Sequence, residues 1–119
     1  MSEEQDDRND YVLSGPQDVQ DMPDPDDLDF PVDIEIEPLG LGFTVIAPTP
    51  AQNFQWTNQH KFSNDNIDLE GLVKKYWTNC MQAKNGQKPS LFALQGTEQK
   101  DEAFTIILNF FRRYFLGQT

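Results

Sequence analysis

The chain has a single cysteine, Cys80, and a single histidine, His60, among 119 residues. One cysteine cannot close an intramolecular disulfide. The usual zinc ligand sets draw on several His and Cys side chains, so they are unavailable, and no metal or cofactor is expected. Cations are scarce as well, with nine Lys and Arg against twenty Asp and Glu, a net charge of −11. Long apolar runs are missing: the longest, residues 103–116, is interrupted by Asn109, Arg112 and Arg113 and is too short to span a bilayer. The opening MSEEQDD lacks the basic and apolar regions of a secretory signal. These absences point to a cytoplasmic, intracellular protein that does not engage a membrane.

The charge that is present is unevenly placed. Residues 1–37 hold fourteen carboxylates against the lone Arg8, a net of −13, whereas residues 38–119 hold eight Lys and Arg against six acids, a net of +2. Residues 1–31 also carry only eight large apolar side chains, together with Pro16, Pro23, Pro25 and Pro31. Ordering a backbone costs roughly 1–2 kcal/mol per residue, and a buried apolar side chain returns roughly 1.5–3 kcal/mol. On that balance residues 1–31 are expected to be a disordered acidic arm, followed by a single small domain at 32–119.

Within the domain, Val32 to Glu37 alternates apolar with acidic residues, the period of a strand with one buried face. It is an edge-strand candidate. Phe43 to Ala47 suits a second strand and residues 53–58 a weaker third, on the alternation of Phe54 and Trp56. Asp68 is the expected N-cap of a helix running to about Ala83, where Asn85-Gly86 supplies a stop. Leu69, Leu72, Val73, Tyr76, Cys80 and Ala83 share one face of it. Residues 90–94 read as a buried strand, joined to 43–47 by a helical crossover and parallel pairing. A last helix starts near Thr97 with acids in its early turns and Arg112 and Arg113 in its last, and Gly117 ends it. The fold class is therefore α+β or small α/β, a short sheet of three or four strands packed against two helices.

No strong catalytic constellation is present, and the chain is expected not to be an enzyme. His60 sits in a polar loop, and Cys80 lies mid-face on a helix, where a thiol is ordinarily a packed hydrophobe. Residues 66–71 imitate the opening of a calcium loop, but the place of the bidentate glutamate falls on Trp77. Gln95-Gly96-Thr97 has the geography of a phosphate-binding helix start without the lysine-serine/threonine pair that would support it. Lys74, Lys75, Lys84, Lys88, Arg112 and Arg113, with Trp56 and Trp77, would form a nucleic-acid surface only if folding gathered them.

Two features exceed ordinary core-building. The last helix spreads Ala103, Phe104, Ile106, Ile107, Leu108, Phe110, Phe111, Tyr114 and Phe115 over an arc of about 200°, wider than one core contact needs. A flank left over would favour a homodimer or a partner protein. The arm offers apolar clusters in an acidic background, at Tyr11-Val12-Leu13, Leu28-Asp29-Phe30 and Val32 to Ile36, of the kind that fold on binding. The segment Asp26-Asp27-Leu28-Asp29-Phe30-Pro31 resembles the acidic, aromatic-ending tails by which single-strand DNA-binding proteins recruit partners, and also acidic activation segments. That likeness covers six residues and is internal where those tails end in a free carboxylate, so no function is carried over from it.

The sequence thus reads as a non-catalytic regulatory, adaptor or assembly protein that binds another protein, one with a basic or apolar groove. The expected contact residues are Tyr11, Leu13, Leu28, Phe30, Ile34, Phe110 and Tyr114. The alternative is a nucleic-acid-binding body held in check by its acidic arm.

Overall fold

The alternation of Val32, Ile34 and Ile36 with Asp33 and Glu35 becomes strand β2 (Val32–Ile36), with the three aliphatic side chains buried on one face. A 3-10 turn at Glu37–Leu39 and the left-handed Gly40 (φ 67°) reverse the chain into β3 (Leu41–Val45), which pairs antiparallel with β2. Glycine suits that position because it carries no Cβ to clash there. The structure, a computed structural model, describes residues 10–62, 64, 66–84 and 87–116. Its architecture is α+β.

The remaining elements are β1 (Asp10–Leu13), α1 (Pro16–Gln20), α2 (Pro50–Gln59), α3 (Leu69–Cys80), β4 (Met81–Ala83) and α4 (Glu98–Tyr114). The sheet has the order β1-β2-β3-β4, with β1 parallel to β2 and β4 antiparallel to β3. Leu13, Ile34, Ile36, Phe43, Val45 and Met81 share one core with Leu72, Tyr76 and Trp77 of α3 and Ile106, Phe110 and Phe111 of α4. Phe43 meets Trp77 at a ring-centroid distance of 5.3 Å, and Tyr76 meets Phe111 at 5.5 Å. Tilted ring pairs at such distances add to the burial of each ring.

The arm expectation is corrected over residues 10–31; residues 1–9 lie outside the described residues. β1 is a strand of the sheet, so β2 is an interior strand rather than an edge, and Leu13, Val19, Met22 and Leu28 are buried. After α1, residues 21–31 form a strap against α4. The Arg113 guanidinium donates from Nη2 to the carbonyls of Met22 (3.1 Å) and Pro23 (3.3 Å), and the Tyr114 hydroxyl donates to Pro23 O at 2.5 Å. Phe30 packs on Tyr114 and Phe115 at 6.1 and 5.9 Å. The wide apolar arc of α4 is explained by this covering: the core takes one side, while α1 and the strap take the flank that was expected to face a partner.

Three local expectations are also overturned. Residues 53–58 are helical, because Thr49-Pro50-Ala51-Gln52 builds a capping box: Gln52 N donates to Thr49 Oγ1 at 3.1 Å and Thr49 N to Gln52 Oε1 at 3.0 Å, with Pro50 in the first turn. The run 90–94 is a 3-10 turn at Leu91–Ala93, and it buries Leu91 and Leu94, an i, i+3 spacing rather than alternation. The parallel pairing of 43–47 with 90–94 is therefore not formed. The helix from Asp68 stops at Cys80 and runs straight into β4, whose Met81 pairs with Val45. The stops proposed at Asn85-Gly86 and Gly117 lie outside the described residues.

Both expected helix starts are present. Asp68 Oδ1 accepts from Gly71 N at 3.2 Å, and Thr97 Oγ1 accepts from Lys100 N at 3.1 Å. No described helix is long and apolar enough to cross a membrane.

Candidate functional site

The capping box sets α2 on the molecule's flank, and Asn53 fixes its orientation. Tyr76 OH donates to Asn53 Oδ1 at 2.5 Å, Asn53 Nδ2 donates to Phe115 O at 3.2 Å, and Trp56 meets Tyr76 ring to ring at 6.2 Å. With that side of α2 turned to α3 and the end of α4, Phe54 is left 72 % exposed. Between α2 and the strap lies an open cleft of about 630 Å³. It is lined on the strap side by Pro25 and Phe30, on the α2 side by Asn53, Phe54, Thr57, Asn58 and Lys61, and between them by Ala47, Pro48, Pro50, Tyr114 and Phe115. Rings and pyrrolidines offer rigid apolar area, and the few polar groups can orient what lies on it.

Carboxylates border the strap wall. Asp24 and Asp26 flank Pro25 in the chain, and Asp29 precedes Phe30. Among the described residues, the strap's ion pair is that of Arg113 Nη2 with Asp24 Oδ1 at 3.4 Å.

The expected contact residues are mostly interior. Leu13, Leu28, Ile34, Phe110 and Tyr114 are buried and Tyr11 is half-buried; Phe30, half-buried on α4, and Tyr114 contribute to the cleft. Leu28 and Phe30, which the sequence offers as anchors for a partner, instead hold the strap to its own domain. Sequence reasoning missed Phe54, the lining prolines and Lys61. The capping box at Thr49–Gln52 was the signal that would have placed Phe54 on a helix beside Pro48 and Pro50.

The other candidate groups have structural duties. Cys80 is buried, and loss of solvent pushes its thiol up to about 11, against the opposing pull of the Lys88 ammonium. Lys88 Nζ donates to the carbonyls of Trp77 (2.6 Å) and Met81 (2.7 Å), closing the end of α3, and burial lowers its pKa. Burial likewise pushes Tyr76 up to about 12 and raises Tyr114. His60 Nδ1 lies 3.9 Å from Asp68 Oδ2, beside the cap of α3. In the calcium-like stretch, Asp68 caps the helix and Trp77 is buried. Among the described residues, no group of three His, Cys, Asp or Glu is arranged to hold a metal ion.

Of the six cations that would form a nucleic-acid surface if gathered, four are engaged within the fold. Lys84 pairs with Asp33 at 3.3 Å, Lys75 lies 5.7 Å over the Trp56 ring, and Lys88 and Arg113 hold carbonyls of the chain. Lys74 and Arg112 remain exposed, on different helices. Compared with protein-family models, curated proteins and solved structures, the chain matches none of them, so the chemistry of the cleft alone carries the functional reading.

Proposed function

We propose that this chain is a non-catalytic protein-binding module of the cell interior, acting as a regulatory, adaptor or assembly factor through the cleft between α2 and the strap. The observation that carries the reading is Phe54. Phe54 is 72 % exposed and lines a concave surface together with Phe30, Phe115 and three prolines, so its ring belongs to a contiguous apolar patch and is not a lone surface side chain. A partner's apolar side chain seated there would remove that surface from water and contribute roughly 1.5–3 kcal/mol, with the surrounding rings and prolines supplying the rest of the contact. The reading moves the contact from the face of α4 and from Leu13, Leu28 and Phe30, which pack within the fold, to the surface that α2 and the strap create together.

A random-peptide display selection on the full chain tests this. Peptides sharing a large apolar residue should be enriched by the native protein and lost on Phe54→Asp, whose melting temperature should stay within a degree or two because the side chain is exposed. No enrichment, or equal enrichment by the variant, would overturn the proposal.

A further inference from the structure

The segment that supplies one wall of the cleft is acidic, and we infer from this what kind of partner the cleft takes: a peptide segment whose apolar anchor is flanked by arginine or lysine. The inference rests on the docking reading above and specifies its ligand. The strap supplies Pro25 and Phe30 to the cleft, and residues 21–31 contain five aspartates and no cation. Asp24 is answered by Arg113 at 3.4 Å. Asp26, Asp27 and Asp29 are exposed and have no cation of the described residues beside them. The backbone that carries them is anchored, since Leu28 between them is buried and Phe30 is packed on Tyr114 and Phe115. Carboxylates on an anchored backbone next to an apolar wall select for cations next to an apolar anchor, because such a ligand gains Coulomb attraction without having to order the backbone of the acidic segment. Lys61, on the opposite wall, is the one charged residue of the lining itself among the described residues, so the attraction falls on the ligand's flanks, over the strap, and not on the part seated beside Lys61.

The same charge disfavours other occupants. A second copy, itself carrying a net charge of −11, would meet a like-charged molecule, and a nucleic-acid backbone would set phosphates against the strap's aspartates.

The test uses the peptide most enriched in the display selection, resynthesised with a fluorescent label and with its flanking residues changed, its binding read by anisotropy against the full chain. The arginine-flanked form should bind five- to twentyfold tighter than the serine-flanked form. Raising the salt from 50 to 300 mM should shrink that ratio, as expected for exposed charges. The triple variant Asp26→Asn, Asp27→Asn, Asp29→Asn should bind both forms alike, while Phe54→Asp should bind neither. If apolar-anchored peptides are enriched but serine and arginine flanks bind equally, the partner chemistry is wrong and the cleft stands. If an arginine peptide with its anchor replaced by serine binds as well as the parent, the attraction is charge alone and the inference fails. A dimer in sedimentation equilibrium that Phe54→Asp dissociates would make a second copy the occupant and overturn it. No enrichment of anchored peptides would overturn the docking reading and this inference with it.

Discussion

Leu28→Ala separates a strap that is part of the fold from an arm that merely accompanies it. Leu28 is 7 % exposed and belongs to the single hydrophobic core. Truncating a buried leucine removes its transfer free energy and leaves a cavity, together about 2–5 kcal/mol in well-packed cores. Because Leu28 lies in a segment between two aspartates rather than in a strand or helix, partial collapse of the site places the expected loss near the lower end, about 2–3 kcal/mol. A domain of this length holds roughly 5–15 kcal/mol in all. At about 3–6 °C per kcal/mol, interpolated for this size, the melting temperature should fall by about 6–18 °C. Circular dichroism melts and urea titrations would read it, with the denaturant slope unchanged if the native contacts beyond the strap persist. A change below about 0.5 kcal/mol would mean that the strap does not share the cooperative unit, and the cleft wall it provides would lose its rigidity with it.

Asn53→Ala should cost about 1–3 kcal/mol, because it leaves the Tyr76 hydroxyl without its acceptor in an otherwise buried side chain. Adding Tyr76→Phe should cost less than the two changes measured apart, and strict additivity in that double-mutant cycle would refute the coupling. Stability should also fall in alkali. Cys80 and Tyr76 have folded pKa values raised to about 11 and about 12, from ordinary values of 9.0 and 10.0, so the unfolded chain loses protons first. Their contribution is intact below pH 9 and is lost as the pH climbs through 9–12, with Lys88, lowered by burial, working in the opposite sense. Urea midpoints between pH 8 and 11 should decline, and Cys80→Ala should flatten the decline between 9 and 11; an unchanged slope would place the thiol in contact with water. Iodoacetamide should likewise modify native Cys80 far more slowly than the urea-unfolded chain at pH 8.

Much of the local structure is legible in the sequence, because local rules act where it forms. The alternation at 32–36 specifies a strand with one buried face, and Asp68 and Thr97 start their helices because their side-chain oxygens accept orphan backbone donors. The class of the fold follows from those elements. The failures at 53–58 and 90–94 were also local. Phe54 and Trp56 invite a two-residue period, yet the capping box and Pro50 preset the first turn of a helix before that period can be read. Leu91 and Leu94 are spaced for a 3-10 turn within a run too short for periodicity to decide.

What the strap does was decided only by the tertiary structure. Considered alone, residues 10–31 cannot offset their ordering cost, since seven large apolar side chains spread among aspartates and prolines are too few. Folded, they also cover the surplus arc of α4, they join the sheet through β1, and they answer Arg113 and Tyr114 with carbonyls, so the gain includes surface and hydrogen bonds belonging to the other half of the chain. The unusual width of the apolar face on α4 and the poverty of the acidic segment were both visible in the sequence, but that each completes the other was not. Contacts between residues some ninety positions apart leave no periodic mark along the chain. The cleft exists for the same reason: its walls, Phe30 on one side and Phe54 on the other, are brought within reach of one ligand only by packing against the end of α4.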